Sequence, residues 1–256
     1  MIKRSSQVAL WVIFVLLTIH TLFFSLLRSN EVQVWLGHKL ADWLSQKLKT
    51  EVSIGTIKIG YMMDVTLQDV FMADDKGDTL GCFRKLHLVP SRLSPNAKRI
   101  KIASLELDSA SFFLFKHKGE RTFNYDFIIR AFSSGKSVSD TSARFVFAPD
   151  GWRVRVDQIK ITNSNFKYFD QNTPVKPKGM DYDCIEVRKI DLNATSLVMY
   201  SDTIEANISA LSARERSGLV VDHLQGNIAV SSLGARISEL RLKTPTSDID
   251  CDFTLS

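Results

Sequence analysis

The chain has 256 residues, with 33 Lys and Arg against 28 Asp and Glu and a formal net charge of +5. Its basic residues are scattered along the sequence, which argues against the clustered basic footprint of a nucleic-acid-binding domain. Three cysteines, Cys82, Cys184 and Cys251, are too few and too far apart for a disulfide framework or a zinc site. We interpret them as small buried hydrophobic residues.

The first predicted element is the stretch Val8–Leu27, which contains no Asp, Glu, Lys or Arg. A helix of that length rises about 1.5 Å per residue and spans the ~30 Å hydrocarbon core of a bilayer. A cleaved signal peptide has a shorter apolar region and ends in a small-x-small site, which residues 24–29 lack. The pattern predicts an uncleaved single-span membrane anchor. We expect the N-terminus in the cytoplasm, because a long domain after an anchor is translocated largely regardless of its charge.

An amphipathic helix is predicted next, capped by Ser29 or Asn30. Two of its apolar residues, Trp35 and Trp43, suit a membrane interface, because indole combines an apolar ring with a polar N–H. The same apolar stripe could instead cover the core of the following domain, and the sequence leaves both interpretations open. The stripe comprises Val32, Trp35, Leu36, Leu40, Trp43 and Leu44.

From Thr50 onward, apolar residues recur as two alternating pairs separated by one extra residue. One extra residue would turn the second pair to the other face of a strand, whereas a β-bulge absorbs it and keeps all four on one face. A hairpin is the alternative, but Asp157-Gln158 and Ser238-Glu239 are not typical two-residue turns. The pattern occurs in Val52–Ile59, Val65–Met72, Ile100–Leu107, Val154–Ile161, Ile185–Leu192 and Ala235–Leu242.

Two of these segments extend into longer copies that keep register at an offset of 54 residues. Ile100 corresponds to Val154, and Phe112 corresponds to Phe166. This predicts an irregular repeat of long antiparallel strands, each with one apolar and one wet face. The predicted fold is therefore mainly β, a curled sheet or open groove that follows the two helices.

Turns and loops divide the strands. Residues 74–78 contain three Asp residues but lack the spacing of a calcium loop, so we interpret them as a hairpin tip. A second turn is predicted at Pro90–Asn96, and a short helix at Asn124–Phe132. The chain stops within an apolar–polar alternation, which we interpret as a strand of a longer protein. The predicted organisation is an anchor at 1–28, an amphipathic helix at 29–49, a first β region at 50–132, a flexible linker at 133–142 and a second β region at 143–256.

Motifs for catalysis are missing from the sequence. We find no phosphate-binding glycine loop, no G-x-S-x-G and no H-E-x-x-H, and the five histidines have no metal-ligand spacing. We therefore expect no enzymatic activity, no catalytic or metal-binding residues, no cofactor and no small-molecule substrate.

The order of these features resembles a known family. An N-terminal anchor followed by WLGHKLADWLSQKLKTEVSIGTIKI and then VTLQDVFMADDKGDTL is similar to the N-terminal part of AsmA-like proteins, above all their TamB branch. Further similar segments are IASLELDSASFFLFKHKGERTFNYDFI, MDYDCIEVRKIDLNATSL and LSARERSGLVVDHLQGNIAVSSLGARISELRLKTPTSDID. The resemblance covers the whole chain and rests on pattern, so it carries over no catalytic residues.

The resemblance implies a protein of the bacterial inner membrane whose β-rich body lies in the periplasm. It implies a role in envelope biogenesis, with phospholipid carried along an apolar β-groove toward the outer membrane, as in bridge-like lipid-transfer proteins. A second implied role is a scaffold for the assembly or secretion of outer-membrane proteins with an outer-membrane barrel partner. The candidate groove residues are Val65, Leu67, Ile100, Ile102, Leu105, Leu107, Phe112, Leu114, Val154, Val156, Ile159, Ile161 and Phe166.

A third hypothesis is a membrane-tethered β-sandwich whose apolar faces pack against each other. One apolar face per strand is required by a groove and by a sandwich alike, so the sequence does not separate them.

Overall fold

Ten strands and three helices make up the computed structural model, which describes residues 2–27, 29–60, 63–132, 148–176 and 179–255. The helices are α1 (Ile2–Leu27), α2 (Asn30–Leu48) and α3 (Asp126–Phe132). The strands are β1 (Val52–Ile59), β2 (Val65–Ala73), β3 (Thr79–Ser94), β4 (Arg99–Lys116), β5 (Ala148–Asp170), β6 (Cys184–Ser201), β7 (Thr203–Glu215), β8 (Val220–Ser231), β9 (Gly234–Lys243) and β10 (Asp248–Leu255).

All ten strands belong to one open sheet, in which their spatial order is their order in the chain. The mainly β prediction is therefore confirmed, and strands from both predicted β regions lie in the same sheet. The predicted linker at 133–142 lies outside the described residues.

One strand pairing corrects the prediction of antiparallel strands. The β4 and β5 strands are parallel, whereas every other neighbouring pair is antiparallel. The reason is the connection between them, residues 117–147, which includes α3. It is long enough for the chain to return to the end of the sheet at which β4 begins. Because the pair is parallel, the 54-residue offset becomes its register: Ile100 lies opposite Val154, and Phe112 lies opposite Phe166.

The first helix, α1, forms over 26 residues, which confirms the helical part of the anchor prediction. Its large apolar side chains are exposed from Val8 (63%) and Trp11 (69%) to Leu26 (64%). The prediction of a membrane-spanning helix is not confirmed: over the described part of the chain, no helix combines the length and apolar character that crossing a bilayer requires.

The second helix, α2, packs on the sheet at β1. Ser29 caps it as predicted, with its hydroxyl accepting a hydrogen bond from the Val32 N–H at 3.3 Å. Gly37 allows a close approach, since a Cβ built there would lie 3.1 Å from the Ile54 carbonyl oxygen. At the other end of the helix, the Ser45 hydroxyl pairs with both the N–H and the C=O of Val52. The helix therefore runs antiparallel to β1, with its N-terminal end toward Ile59.

Three of the six apolar quartets have a backbone irregularity at the extra residue, and each strand continues through it, whereas the quartets of β1, β4 and β5 have no positive-φ residue at that position. The second of the two residues between the apolar pairs has a positive φ at Asp69 (53°), Lys189 (52°) and Glu239 (53°). Such a residue rotates the chain and returns the next apolar pair to the same face. The same conformation occurs at Ser109 and Asn163, beside the quartets of β4 and β5. The hairpin alternative is wrong, because β5 and β9 are continuous.

Each of three such bulges donates a backbone hydrogen bond to a side chain of the neighbouring strand. The N–H of Asn163 donates to Asp191 Oδ1 at 2.9 Å, and the N–H of Glu239 donates to Asp252 Oδ1 at 2.8 Å. The N–H of Lys189 donates to the Asn165 side chain at 3.3 Å. A side-chain oxygen thus replaces the ladder partner that the bulge removes.

The predicted turn at Pro90–Asn96 is shorter in the structure. Strand β3 continues through Pro90 to Ser94, and only Pro95–Ala97 forms a 3₁₀ turn before β4. Proline is tolerated in a strand at a bulge, and the β3–β4 register shifts on both sides of Pro90. The β3–β4 hairpin is therefore longer than predicted.

Candidate apolar binding face

An unbroken row of apolar residues crosses all ten strands on one face of the sheet. Directly paired residues of neighbouring strands point to the same face, so the pairing itself defines the row. At about 4.8 Å per strand, the row is about 43 Å long. It consists of Ile57, Leu67, Leu86, Leu107, Ile161, Leu192, Leu211, Leu224, Leu242 and Ile249.

Further rows give this apolar face its width. One passes through Ile59, Val65, Leu88, Leu105, Ile159, Ala194, Ile208 and Gly226. Another, nearer the N-terminal ends of β4 and β5, passes through Ile100, Val154, Met199, Ile204, Val230, Ala235 and Leu255. We call the surface formed by these rows the apolar face.

The helices cover only the first part of the apolar face. Leu36, Leu40 and Leu44 of α2 pack on a cluster that includes Ile54 and Ile57. Phe127 of α3 joins a second cluster with Val52, Leu48 and Leu80. From β5 to β10, no helix and no second sheet packs across the face within the described residues. The single open sheet corresponds to the groove hypothesis and differs from the two packed layers of a sandwich.

The predicted groove residues of β4 and β5 come together as cross-strand pairs. Ile100, Ile102, Leu105, Leu107 and Phe112 lie opposite, in that order, Val154, Val156, Ile159, Ile161 and Phe166. Their exposure varies, from 2% at Val156 and 8% at Leu107 to 38% at Phe112. The repeat seen in the sequence therefore forms the middle of the apolar face.

Three other predicted groove residues lie where the helices cover the sheet. Val65 and Leu67 pack against the cluster beneath α2, and Leu114 packs against the cluster that contains Phe127. They belong to a helix–sheet core in this structure. The open part of the face begins beyond them.

The predicted interface residues of α2 separate from the rest of its stripe. Trp35 and Trp43 remain exposed, at 56% and 53%, while the leucines of the stripe pack on the sheet. The two interpretations of the stripe thus apply to different residues: the leucines cover the core, and the tryptophans face outward.

Several residues of the apolar face were not identified in the sequence. Leu86 and Leu88 of β3, Leu211 of β7 and Leu224 of β8 belong to it, although no quartet marks them. In β8 the apolar residues around Gly226 are irregularly spaced, and only the pairing with β7 and β9 shows which face they share. For Leu86 and Leu88, the sequence signal was the apolar–polar alternation of β3.

The opposite face carries ion pairs. Arg84 donates from Nε to Asp108 Oδ2 at 3.1 Å, and this hydrogen bond lowers the pKa of the Asp108 carboxyl. Lys101 and Arg155 both pair with Asp157 at 2.9 Å, and their hydrogen bonds lower the pKa of Asp157. Exposed pairs of this kind contribute little stability. These charged side chains make this face of the sheet polar and solvent-exposed, and we call it the wet face.

A buried polar cluster ties the β2–β3 turn to the loop after β4. The Asp74 carboxylate accepts the N–H groups of Lys76 and Asp78, both at 2.9 Å. Its other oxygen lies 3.2 Å from His117 Nε2 and accepts the side-chain amide of Asn124 at 3.3 Å. This confirms the hairpin tip predicted at residues 74–78.

The same cluster contains a possible metal-ligand set, since ligand atoms of Asp74, Asp78 and His117 lie within 4.8 Å of one another. The geometry favours a structural role, because both Asp74 oxygens already accept hydrogen bonds from within the fold. Sequence analysis missed this grouping, because Asp74 and His117 are 43 residues apart.

Comparison with known proteins finds no matching family model and no significant match among curated proteins. The resemblance to AsmA-like proteins therefore remains a hypothesis drawn from the sequence pattern.

Proposed function

We propose that this protein carries phospholipid acyl chains along its apolar face, as a membrane-attached component of envelope biogenesis. The observation that carries the proposal is the row of apolar residues through all ten strands of an open sheet, on which no helix or second sheet of the described residues packs from β5 onward. A soluble single-layer sheet would leave this surface in contact with water, whereas acyl chains would cover it. Large exposed apolar surfaces mark binding sites.

The dimensions of the face suit this ligand. The central row is about 43 Å long, at about 4.8 Å per strand. That is longer than one acyl chain, so several lipids would bind side by side. The wet face carries ion pairs such as Lys101–Asp157 and cannot accommodate hydrocarbon.

A photo-crosslinking experiment tests the proposal. The photoreactive residue p-benzoylphenylalanine replaces Phe112 or Leu211 on the apolar face, and Glu106 on the wet face serves as the matched control. After irradiation in cells, mass spectrometry should identify phospholipid adducts at the first two positions and none at Glu106. Folded protein without lipid adducts at Phe112 and Leu211 would contradict the proposal.

We further propose that α1 attaches the chain to the inner membrane, with the sheet in the periplasm. Support comes from its apolar side chains, which are exposed along the helix, as at Val12 (52%), Leu16 (60%) and Phe23 (57%). Membranes washed with sodium carbonate at high pH should retain the protein. The double variant Leu16→Lys with Leu17→Lys should be released, whereas Lys39→Gln with Lys47→Gln on α2 should stay in the membrane fraction. Release of the unmodified protein would contradict attachment through α1.

A second candidate function is a scaffold for outer-membrane proteins, favoured by the edge strand β10. All eight of its residues are exposed, and within the described residues β10 has one neighbouring strand, β9. Such an edge adds a strand from another chain by backbone hydrogen bonding. Crosslinks from Phe253 to an outer-membrane protein, without lipid adducts at Phe112, would favour this function over lipid transport.

A further inference from the structure

The tip of the β3–β4 hairpin and the start of β5 form a basic surface that the sequence order conceals. Residues 90–101 and 151–157 contain six Lys and Arg residues against one acid, Asp157. Strand pairing brings the two segments together although more than 50 positions separate them in the chain. We call the surface of Arg92, Lys98, Arg99, Lys101, Arg153 and Arg155 the basic tip.

Like charges lie directly opposite one another across these strands. Arg99 is paired with Arg153, Lys101 with Arg155, and Arg92 with Lys101. Like-charged residues directly opposite in a sheet destabilise it. Asp157 offsets part of the repulsion through its two ion pairs at 2.9 Å, and the Arg153 guanidinium stacks 5.0 Å from the centre of the Tyr200 ring. The remaining excess of positive charge is complementary to an anionic surface.

An apolar residue projects from the same tip. Leu93 is 66% exposed at the end of β3, next to Arg92 and close to the 3₁₀ turn. Its pairing with Ile100 places it on the face opposite the cations. A lipid surface that meets the tip end-on would contact both, with the leucine inserted between headgroups that the cations bind. A free phosphate ion would account for the cations alone.

The position of the tip also suits a membrane. Val65, the first residue of β2, pairs with Leu88, so β3 continues six residues, about 20 Å, beyond the start of β2. Leu48, at the C-terminal end of α2, lies at Val52, and α2 runs antiparallel to β1. The N-terminal end of α2 therefore points toward the same end of the sheet as this extension of β3. The α1 helix joins α2 at that end.

We propose that the basic tip docks on the surface of a membrane that contains anionic phospholipid. This rests on the proposed membrane attachment, but it does not require transport along the apolar face. Arg99 and Arg153 bind phosphate groups of the lipid headgroups on one side of the tip, and Leu93 inserts between headgroups on the other side.

The test uses the full chain reconstituted in vesicles of phosphatidylcholine, with or without 30% phosphatidylglycerol. The residue p-benzoylphenylalanine replaces Leu93, or replaces Leu233 as the control. Leu233 is even more exposed, at 85%, and lies at the tip of the β8–β9 hairpin between Ser232 and Gly234, without neighbouring cations in sequence. We expect lipid adducts at Leu93 to increase at least fivefold with phosphatidylglycerol and to fall again in 0.5 M NaCl. Adducts at Leu233 should not respond to either change.

Arg99→Glu is the decisive variant, because it removes one cation and converts the Arg99–Arg153 repulsion into attraction. It should raise the melting temperature in detergent by about 1–4 °C and lower the adducts at position 93 at least fivefold. Lys58→Glu, at an exposed position of β1, is the charge-matched control and should leave the adducts unchanged.

Equal adducts at Leu93 with and without phosphatidylglycerol would overturn the proposal, as would an Arg99→Glu variant that crosslinks like the parent. Either result would leave the proposed lipid transport intact if Phe112 still forms lipid adducts. Adducts at Leu93 without any at Phe112 would instead support docking and contradict transport.

Discussion

The first three strands and the last five carry the same kind of apolar face but differ in what covers it. Under α2, Ile54, Ile57 and Val70 are buried to 3%, 8% and 7% exposure. On β7 to β9, residues of the same rows, such as Leu211 and Leu224, are only half-buried. The strand pattern therefore creates the apolar face, and the helices determine which part of it is accessible to a ligand.

We expect the largest difference between the two regions when a carboxylate is placed in each of them. Ile54→Asp buries an unpaired charge beneath α2, which costs several kcal/mol and should prevent stable folding. Leu224→Asp should cost only about 1–2 kcal/mol, because its carboxylate can reach water from the open face. Melting temperature and protein abundance measure both effects. An equally severe loss in Leu224→Asp would show that the open face is covered in the folded protein.

A second substitution separates α2 from the sheet. Gly37→Leu places a side chain where a Cβ alone would already lie 3.1 Å from the Ile54 carbonyl oxygen and 3.4 Å from that of Gly55. Overpacking of this kind costs about 1–3 kcal/mol. We expect a lower melting temperature and faster hydrogen exchange in β1 and β2, with β7 to β9 unchanged. Lys39→Leu, on the exposed side of the same helix, should change the melting temperature little. Faster exchange throughout the sheet would contradict two regions of different stability.

A third substitution probes how the open region keeps its bulges. Asp191→Ala removes the oxygen that accepts the Asn163 N–H at 2.9 Å. The cost should be about 1–2 kcal/mol, since a charged hydrogen bond is lost but the N–H remains close to water. Asp222→Ala, an exposed position in β8, is the control. Hydrogen exchange should accelerate at β5 and β6, while the region beneath α2 stays protected.

We expect the smallest effect on stability from lowering the pH. Hydrogen bonds from Lys101 and Arg155 lower the pKa of Asp157, and backbone N–H groups of Lys176 and Asp183 lower that of Asp181. A carboxyl whose pKa is lower in the folded chain than its ordinary 3.8 stabilises the fold above that value, and this stabilisation is lost as the pH falls through the lowered pKa. As the pH falls below 3.8, the amide protection factors of β5 and β6 should decrease before those of β1 and β2. Asp157→Asn should reduce this difference, and the same acid response in the variant would contradict it.

Much of the fold could be predicted from the sequence because local patterns determine it. The quartets marked strands with one apolar face, and the 54-residue offset marked two strands that prove to be neighbours. The parallel direction of that pair could not be predicted, because it depends on the path of the long connection through α3. The extent of β3 was also underestimated, because Pro90 is typical of a turn and its place at a bulge depends on pairing with β4.

The candidate site was predictable in part for the same reason. Side-chain type identified the apolar residues of β4 and β5, but burial under α2 depends on helix docking, so Val65 and Leu67 could not be assigned to a covered region beforehand. The basic tip was hidden, since Arg99 and Arg153 meet only through the sheet register. Likewise, the oxygen that stabilises the bulge at Asn163 comes from another strand, at Asp191.

The order of the strands has a consequence for how the chain acquires its fold. Because each strand from β2 onward pairs with the strand made just before it, the sheet can grow one strand at a time from the N-terminal end. The step from β4 to β5 differs, because residues 117–147 must first close a long loop. An intermediate that holds β1 to β4 beneath α2 would therefore precede the rest of the sheet, and its exposed edge at β4 would be the point most prone to pairing with another chain.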